Sequence, residues 1–387
     1  MLTKLIHIYK KIQNKGLMWL YKRLILEIGT SQSFIAKILI ITNRFIYKIC
    51  SILCMPLRLI KTRVIVSRSQ QTLYLFYDLE VSPITFNFCE ELAMANVYRS
   101  KCGLKYLYVI FVPGSSKGLR EESQDYETII NQDARHWRKH NILIPITHLI
   151  PHCTGFTNCS SREEAELFLK QATPNIYPKN YSTTFPISTR FYEGAKTQDP
   201  NIMPIKATKQ AVNYIKQWLI SRQKQRKLIV ITLRQYNYMT SRNSNVVAWA
   251  NFANSLPVDQ YFVVIIPDVE IALQPKLIQL SNFEHFLEGC WNIELRAAIY
   301  EEAYLNLGIN NGPMSLCWLN KSCRYIMFKI ITENVPQTTE QSLKKHGFIP
   351  NQDPPFIKPY QKWVWEPDHE EIIRREFNNM CKIIEAN

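Results

Sequence analysis

GINNGPMSLCWLN, residues 308–320, decides how the C-terminal part of the chain is read. Gly308, Asn310, Asn311, Gly312 and Pro313 tolerate or impose unusual backbone angles, so they punctuate a turn. Apolar residues flank them on both sides. A short strand that ends in such a turn and hands over at once to a helix start is the β-to-α corner of an open α/β sheet, where ligands gather.

Working outward, the same alternation recurs. KLIVITL (227–233) predicts a buried strand, NVVAWANFANSL (245–256) a helix, QYFVVIIPD (260–268) a strand ending on an acid, WNIELRAAIYEEAYL (291–305) a helix and CRYIMFK (323–329) a strand. Upstream, QTLYLFY (71–77), LKYLYVIFV (104–112) and NILIPI (141–146) predict strands. PITFNFCEELAMANVYRSKC (83–102), starting at Pro83, and REEAELFLKQA (162–172) predict helices. Strands separated by helices imply parallel pairing. A proline-bearing stretch near 173–207 divides the two series, and the expected fold is α/β with two Rossmann-like lobes at 69–190 and 208–350. Residues 351–387 are expected to form a tail and helix returning to the first lobe.

Charge is distributed unevenly. Of the net +15, residues 1–68 hold thirteen Lys and Arg against the single acid Glu27, so the other 319 residues are nearly neutral. That argues against a folded domain built around a basic nucleic-acid groove, and no nucleic-acid partner is expected. Within 1–68, Lys4, Lys11, Lys15 and Lys22 share one helical stripe, as do Lys37, Arg44 and Lys48, amid wide apolar faces. The pattern predicts basic amphipathic helices lying on an anionic membrane surface, with packing on the body of the same protein or on a partner as the alternative. No run of uncharged residues is long enough for a conventional spanning helix. Ten scattered cysteines without paired spacing indicate reduced thiols. Cys153 and Cys159, near His148 and His152, fit no zinc pattern.

The strand ends should bring Arg234, Asp268 and the Asn310–Gly312 turn to one edge. At this point the residues resemble the GT-B glycosyltransferases, and GINNGPMSL is similar to the acid-Ser/Thr-Gly-Pro-Met-His-Leu motif of the heptosyltransferase group. Gly312, Pro313, Met314 and Leu316 match; Asn310, Asn311 and Ser315 stand where that group has an acid, Ser or Thr, and His. ITLRQYNYMTSRNS (231–244) resembles, more weakly, the strand-end arginine segment of GT-B fucosyltransferases. The resemblance implies a glycosyltransferase moving a sugar from a nucleotide-sugar donor to a surface glycan or lipid-linked acceptor, inverting, with no metal and no resident cofactor. Arg234, Arg242, Asp268 and residues Asn310, Asn311, Gly312, Pro313, Met314 and Ser315 would bind the donor. An inverting transfer needs a base, and Asp78, then Glu80, directly after the first strand, are the candidates. Lys117 and Arg120 in PGSSKGLR would face an anionic acceptor. The location expected is cytoplasmic, peripheral on the inner membrane face. The departures at Asn310 and Ser315 leave two alternatives: a non-catalytic membrane-attached binding protein on the same lobes, or another nucleotide-dependent enzyme. The GxGxxG fingerprint is absent after the first strand, which argues against a dinucleotide enzyme.

Overall fold

The computed structural model describes residues 69–187, 198–222, 225–272 and 283–386. The amphipathic helices expected within 1–68 lie outside the described residues. Among those residues no helix is long and apolar enough to cross a membrane.

Two all-parallel sheets form the body. The first takes β1 (Thr72–Asp78), β2 (Tyr106–Val112), β3 (Cys153–Asn158) and β4 (Ile176–Tyr177) in the order β3-β2-β1-β4. The second takes β5 (Lys227–Thr232), β6 (Tyr261–Ile266), β7 (Phe283–His285), β8 (Leu305–Ile309), β9 (Tyr325–Phe328) and β10 (Gln361–Trp363) in the order β10-β9-β8-β5-β6-β7. Counted from its own first strand, the second sheet has the Rossmann order 3-2-1-4-5-6 read from β7. Its direction of winding reverses between β5 and β8, and a crevice must open there.

The strands are apolar on both faces because both faces are covered. In β5, Leu228 and Val230 enter one core while Ile229 and Ile231 enter the other. Phe76, Ile110 and Val112 pack behind the first sheet with Tyr181. The crossover helices are α1 (Phe88–Lys101), α2 (Arg162–Ala172), α3 (Lys209–Ile220), α4 (Val246–Ser255) and α5 (Ile293–Glu302). Local chemistry starts most of them. Ser161 accepts from the Glu164 amide at 3.2 Å while Glu164 accepts from the Ser160 amide at 2.7 Å, a reciprocal cap. Thr208, Asn245 and Asn292 cap α3, α4 and α5 in the same sense.

Four expectations are corrected. NILIPI is helical: a wide turn at Lys139–Leu143 runs into a helix at Ile144–His148 that buries Ile146, with Leu143 also in the core. A short apolar run has no period that separates strand from buried helix. The strand of that unit is CTGFTN instead, which puts Cys153 in β3, its thiol bonded to the Gly155 carbonyl. Helix α1 begins at Phe88 rather than Pro83, because the Tyr77 hydroxyl holds the Pro83 carbonyl outside it. Finally, among the described residues the terminal helix α6 (Glu370–Ala386) packs on the second lobe rather than on the first. Phe377 stacks edge-on against Phe252 and Tyr261, and Lys227 pairs with Glu385 at 2.7 Å. The tail also supplies β10, an edge strand.

Phe377→Ala should therefore destabilise the second lobe by about 3–4 kcal/mol, as core phenylalanine truncations do. Urea unfolding followed by the fluorescence of the buried Trp249 checks this; an unshifted midpoint would contradict the packing.

Candidate functional site

The crevice at the reversal of the second sheet is lined by the loop after β5 and the loop after β8. The first, residues 234–244, is closed on itself. Arg234 donates to the carbonyls of Met239 (3.1 Å) and Tyr238 (2.6 Å) and to Asn243 Oδ1, while its amide reaches Ser244 Oγ at 2.9 Å. Asn243 Oδ1 also accepts from the Tyr236 amide at 3.0 Å. Arg234 is thus the internal post of the loop, and most of its donors are spent on it.

Arg242, on the same loop, spans the crevice. One Nη donates to the Asn310 carbonyl at 2.9 Å, and among the described residues no carboxylate lies within ion-pairing distance of it. Burial, followed by the like charge of Arg234, pulls its pKa down to about 10. Burial lowers Arg234 as well. Lys329, at the end of β9, adds a third cation: it donates to the Asn243 carbonyl at 2.9 Å and lies 3.9 Å from Asp368.

The second lip is more occupied than the sequence suggested. Asn310 donates its side chain to the Ile330 carbonyl at 3.0 Å. Asn311 caps the turn, taking the Met314 amide at 3.2 Å, so that N–H is unavailable to a ligand. Pro313 has no N–H, Ser315 is buried with its amide turned back to the Gly312 and Pro313 carbonyls, and Met314 is wholly buried. The amides of Asn311 and Gly312 remain. A Cβ on Gly312 would meet the Phe86 ring at 2.8 Å, so glycine is required there by the close approach of the first lobe.

Asp268 stands two residues beyond the end of β6 and accepts from the Gln235 amide at 2.6 Å, fixing the root of the Arg234 loop; burial raises its pKa. Arg296 on α5 acts on Asp268 electrostatically, is only 4% exposed, and leaves Nε without a partner, as Gln235 leaves Oε1. From the first lobe, Arg138 donates to the Tyr236 hydroxyl at 2.9 Å, and Tyr126 meets Tyr238 edge-on at 5.2 Å. The basic, aromatic segment 132–142 is therefore a contact between the lobes.

No family model and no curated protein matches the sequence. Solved structures do resemble it. The E. coli ADP-heptose LPS heptosyltransferase II is similar over 81% of this chain and 99% of its own, with 8% identity and a TM-score of 0.48. A family 9 glycosyl transferase of Veillonella parvula is similar over 67% of this chain and 80% of its own, at 10% identity and a TM-score of 0.36. For the wall teichoic acid polymerase TagF the shares are 89% and 93%, at 8% identity and a TM-score of 0.30.

The carboxylate expected as base is not placed for it. Asp78 has no exposed surface, and both oxygens are engaged: Arg162 reaches them at 3.0 and 2.8 Å, Tyr181 donates at 2.6 Å, and the Glu80 amide at 2.9 Å. This network plugs the reversal point of the first sheet, between β1 and β4. Glu80 ties down the following loop through the amide and hydroxyl of Ser115. Arg120 is paired with Glu122 at 2.6 Å and bonds the Val81 carbonyl. Lys117 stands exposed at the loop tip, at φ 49°. His148 pairs with Glu294 at 2.9 Å rather than with the nearby cysteines.

One carboxylate in this part of the molecule is unengaged. Glu90, in the first turn of α1, has no hydrogen bond or ion pair among the described residues, and burial pushes its pKa from 4.5 up to about 7. An acid whose folded pKa is raised destabilises the fold increasingly as pH climbs from its unfolded value, about 4.5, to about 7, and by a constant amount above that. Glu90→Gln should accordingly raise the melting temperature at pH 8 more than at pH 4.5; equal shifts at both would contradict this. Asp78→Asn, by leaving the Arg162 guanidinium without its counter-charge, should cost about 3 kcal/mol in urea unfolding.

Proposed function

We propose that the chain is a glycosyltransferase that takes its sugar from a nucleoside diphosphate donor bound in the crevice between β5 and β8. One observation carries the reading: Arg242, beside Arg234, presents partly buried positive charge at the carboxyl edge of the sheet, and among the described residues no carboxylate lies within ion-pairing distance of it. A ligand in an open α/β sheet lies at that reversal point. Buried charge is costly unless it is paired, and a diphosphate supplies the pairing.

The chemistry follows from where charge develops. As the bond from the anomeric carbon to the diphosphate breaks, its electron pair moves onto the leaving oxygen. Fixed guanidinium donors stabilise that state more than the ground state. Arg242, with Lys329 and the free amides of Asn311 and Gly312, would do this directly. Arg234 acts by holding the loop. Asn310 and Ser315 serve the architecture of the lip. Attack by an acceptor hydroxyl on the opposite face of the sugar gives inversion. The basic, apolar segment 1–68 supports an anionic membrane surface as the setting, on the cytoplasmic side, with a lipid-linked or surface glycan as acceptor.

Arg242→Ala is expected to weaken nucleoside diphosphate binding by about 1.5–3 kcal/mol, the loss of a charged hydrogen bond. Calorimetric titration with UDP, GDP, ADP and CDP checks it, and binding at parental affinity would refute the reading. Deleting residues 1–68 should abolish co-sedimentation with phosphatidylserine-containing vesicles; retained binding would refute the anchor.

A further inference from the structure

Arg242 stands on the β8 side of the loop after β5. On the β6 side of the same loop lies a second guanidinium, that of Arg296, which no carboxylate answers within ion-pairing distance among the described residues. We infer that Arg296 is a further donor-binding residue, taking an anionic oxygen of the bound nucleotide-sugar. This deepens the transferase reading and rests on it.

The hydroxyls of Tyr300 and Thr232 lie 2.7 Å apart, and Thr232 is the last residue of β5. Arg296 precedes Tyr300 by four residues, so it shares that face of α5 one turn closer to the helix N-terminus. Helix α5 runs from the end of β7 back to the start of β8, antiparallel to the strands. One turn, about 5.4 Å, therefore carries Arg296 past the carboxyl end of β5. There it meets the loops leaving β5 and β6. Asp268 feels its charge, and Gln235, whose amide donates to Asp268 at 2.6 Å, keeps Oε1 buried without a partner. The Cys290 thiol, just before α5, donates to the Pro267 carbonyl at 3.3 Å and ties the helix to the same loop. On the same first turn, Glu294 reaches His148 of the first lobe at 2.9 Å, and α5 packs against the Ser315–Trp318 helix start behind the Gly312 lip. Arg296 is thus fixed at the carboxyl edge of the second sheet, where the lobes meet.

Charge decides what the place can take. Arg296, Arg234 and Arg138 all act on Asp268, so three guanidiniums bear on one carboxylate, with Glu270 farther out beside Tyr236. At 4% exposure, with Nε unbonded, Arg296 carries the cost of a buried charge that the protein does not pair. An anion removes that cost. A guanidinium accepts two kinds of anionic oxygen from a nucleotide-sugar, the phosphoryl oxygens and a carboxylate on the sugar.

The test is calorimetric titration of the full chain with UDP, GDP, ADP and CDP, then with the neutral hexose and the hexuronic acid conjugates of whichever nucleotide binds. If Arg296 holds phosphate, Arg296→Gln should weaken nucleoside diphosphate binding at least about tenfold, the scale of one charged hydrogen bond. If it holds a sugar carboxylate, the diphosphate should stay within twofold while the hexuronic acid conjugate alone weakens by about tenfold or more. Either result supports the assignment. Arg296→Lys, which keeps the charge, should recover part of the loss; melting curves and circular dichroism of both variants establish folding. Parental affinity of Arg296→Gln for the diphosphate and both conjugates would mean that a buried water alone answers the guanidinium, and equal losses in the Gln and Lys variants would mean that the side chain serves packing. Each overturns the Arg296 assignment and leaves the Arg242 site standing. A parent that binds none of the nucleotides overturns the donor crevice and the assignment with it.

Discussion

The bond from Arg242 to the Asn310 carbonyl joins the loop after β5 to the loop after β8, across the point where the second sheet reverses its winding. Around it the direct hydrogen-bond partners of the cations are neutral groups, while Asp368 stands 3.9 Å from Lys329 and Asp268 acts on Arg234 electrostatically. Arg234 is answered by the carbonyls of Tyr238 and Met239 and by Asn243, and Lys329 by the Asn243 carbonyl. Carbonyl dipoles position a cation without cancelling its charge. A carboxylate at the same place would position it equally well and leave little attraction for an anion. The polar choice keeps the field of the loop directed into the crevice, where low polarisability strengthens it.

The first sheet is treated in the opposite way. Its reversal point, between β1 and β4, is closed by a buried, fully bonded ion pair of Asp78 and Arg162 with Tyr181. Two lobes with the same strand logic thus diverge: one reversal point is closed by a fully bonded ion pair, and the other holds Arg242 with no carboxylate partner among the described residues. The loop that follows this network carries Phe86, which lies against Gly312.

Much of the fold was legible because parallel, doubly covered strands write themselves as apolar runs: β1, β2, β5, β6 and β9 fall where KLIVITL and its counterparts place them. Edge strands were harder. β3 and β10 pair along one side only, tolerate Gly155 or charged Lys362, and so lack that signature. The site was legible in its loops but not in its bonding. Arg234, Arg242, Asp268, Asn310 and Asn311 do converge on one edge. Which of them are spent on the protein itself depends on partners distant in sequence, such as Arg162 for Asp78. Glu90 gave no signal for a related reason: nothing in CEELAMA distinguishes an acid engaged at a helix N-terminus from one without a hydrogen bond or ion pair among the described residues. Arg138 gave a weak signal in the basic, aromatic cluster 132–142, and Arg296 gave none.

A crystal structure of the chain soaked with the tightest-binding nucleoside diphosphate tests the central claim most directly. The account predicts phosphate oxygens within hydrogen-bonding distance of the Arg242 guanidinium and of the Asn311 and Gly312 amides. A nucleotide bound elsewhere, with Arg242 still bonded only to Asn310, would contradict it.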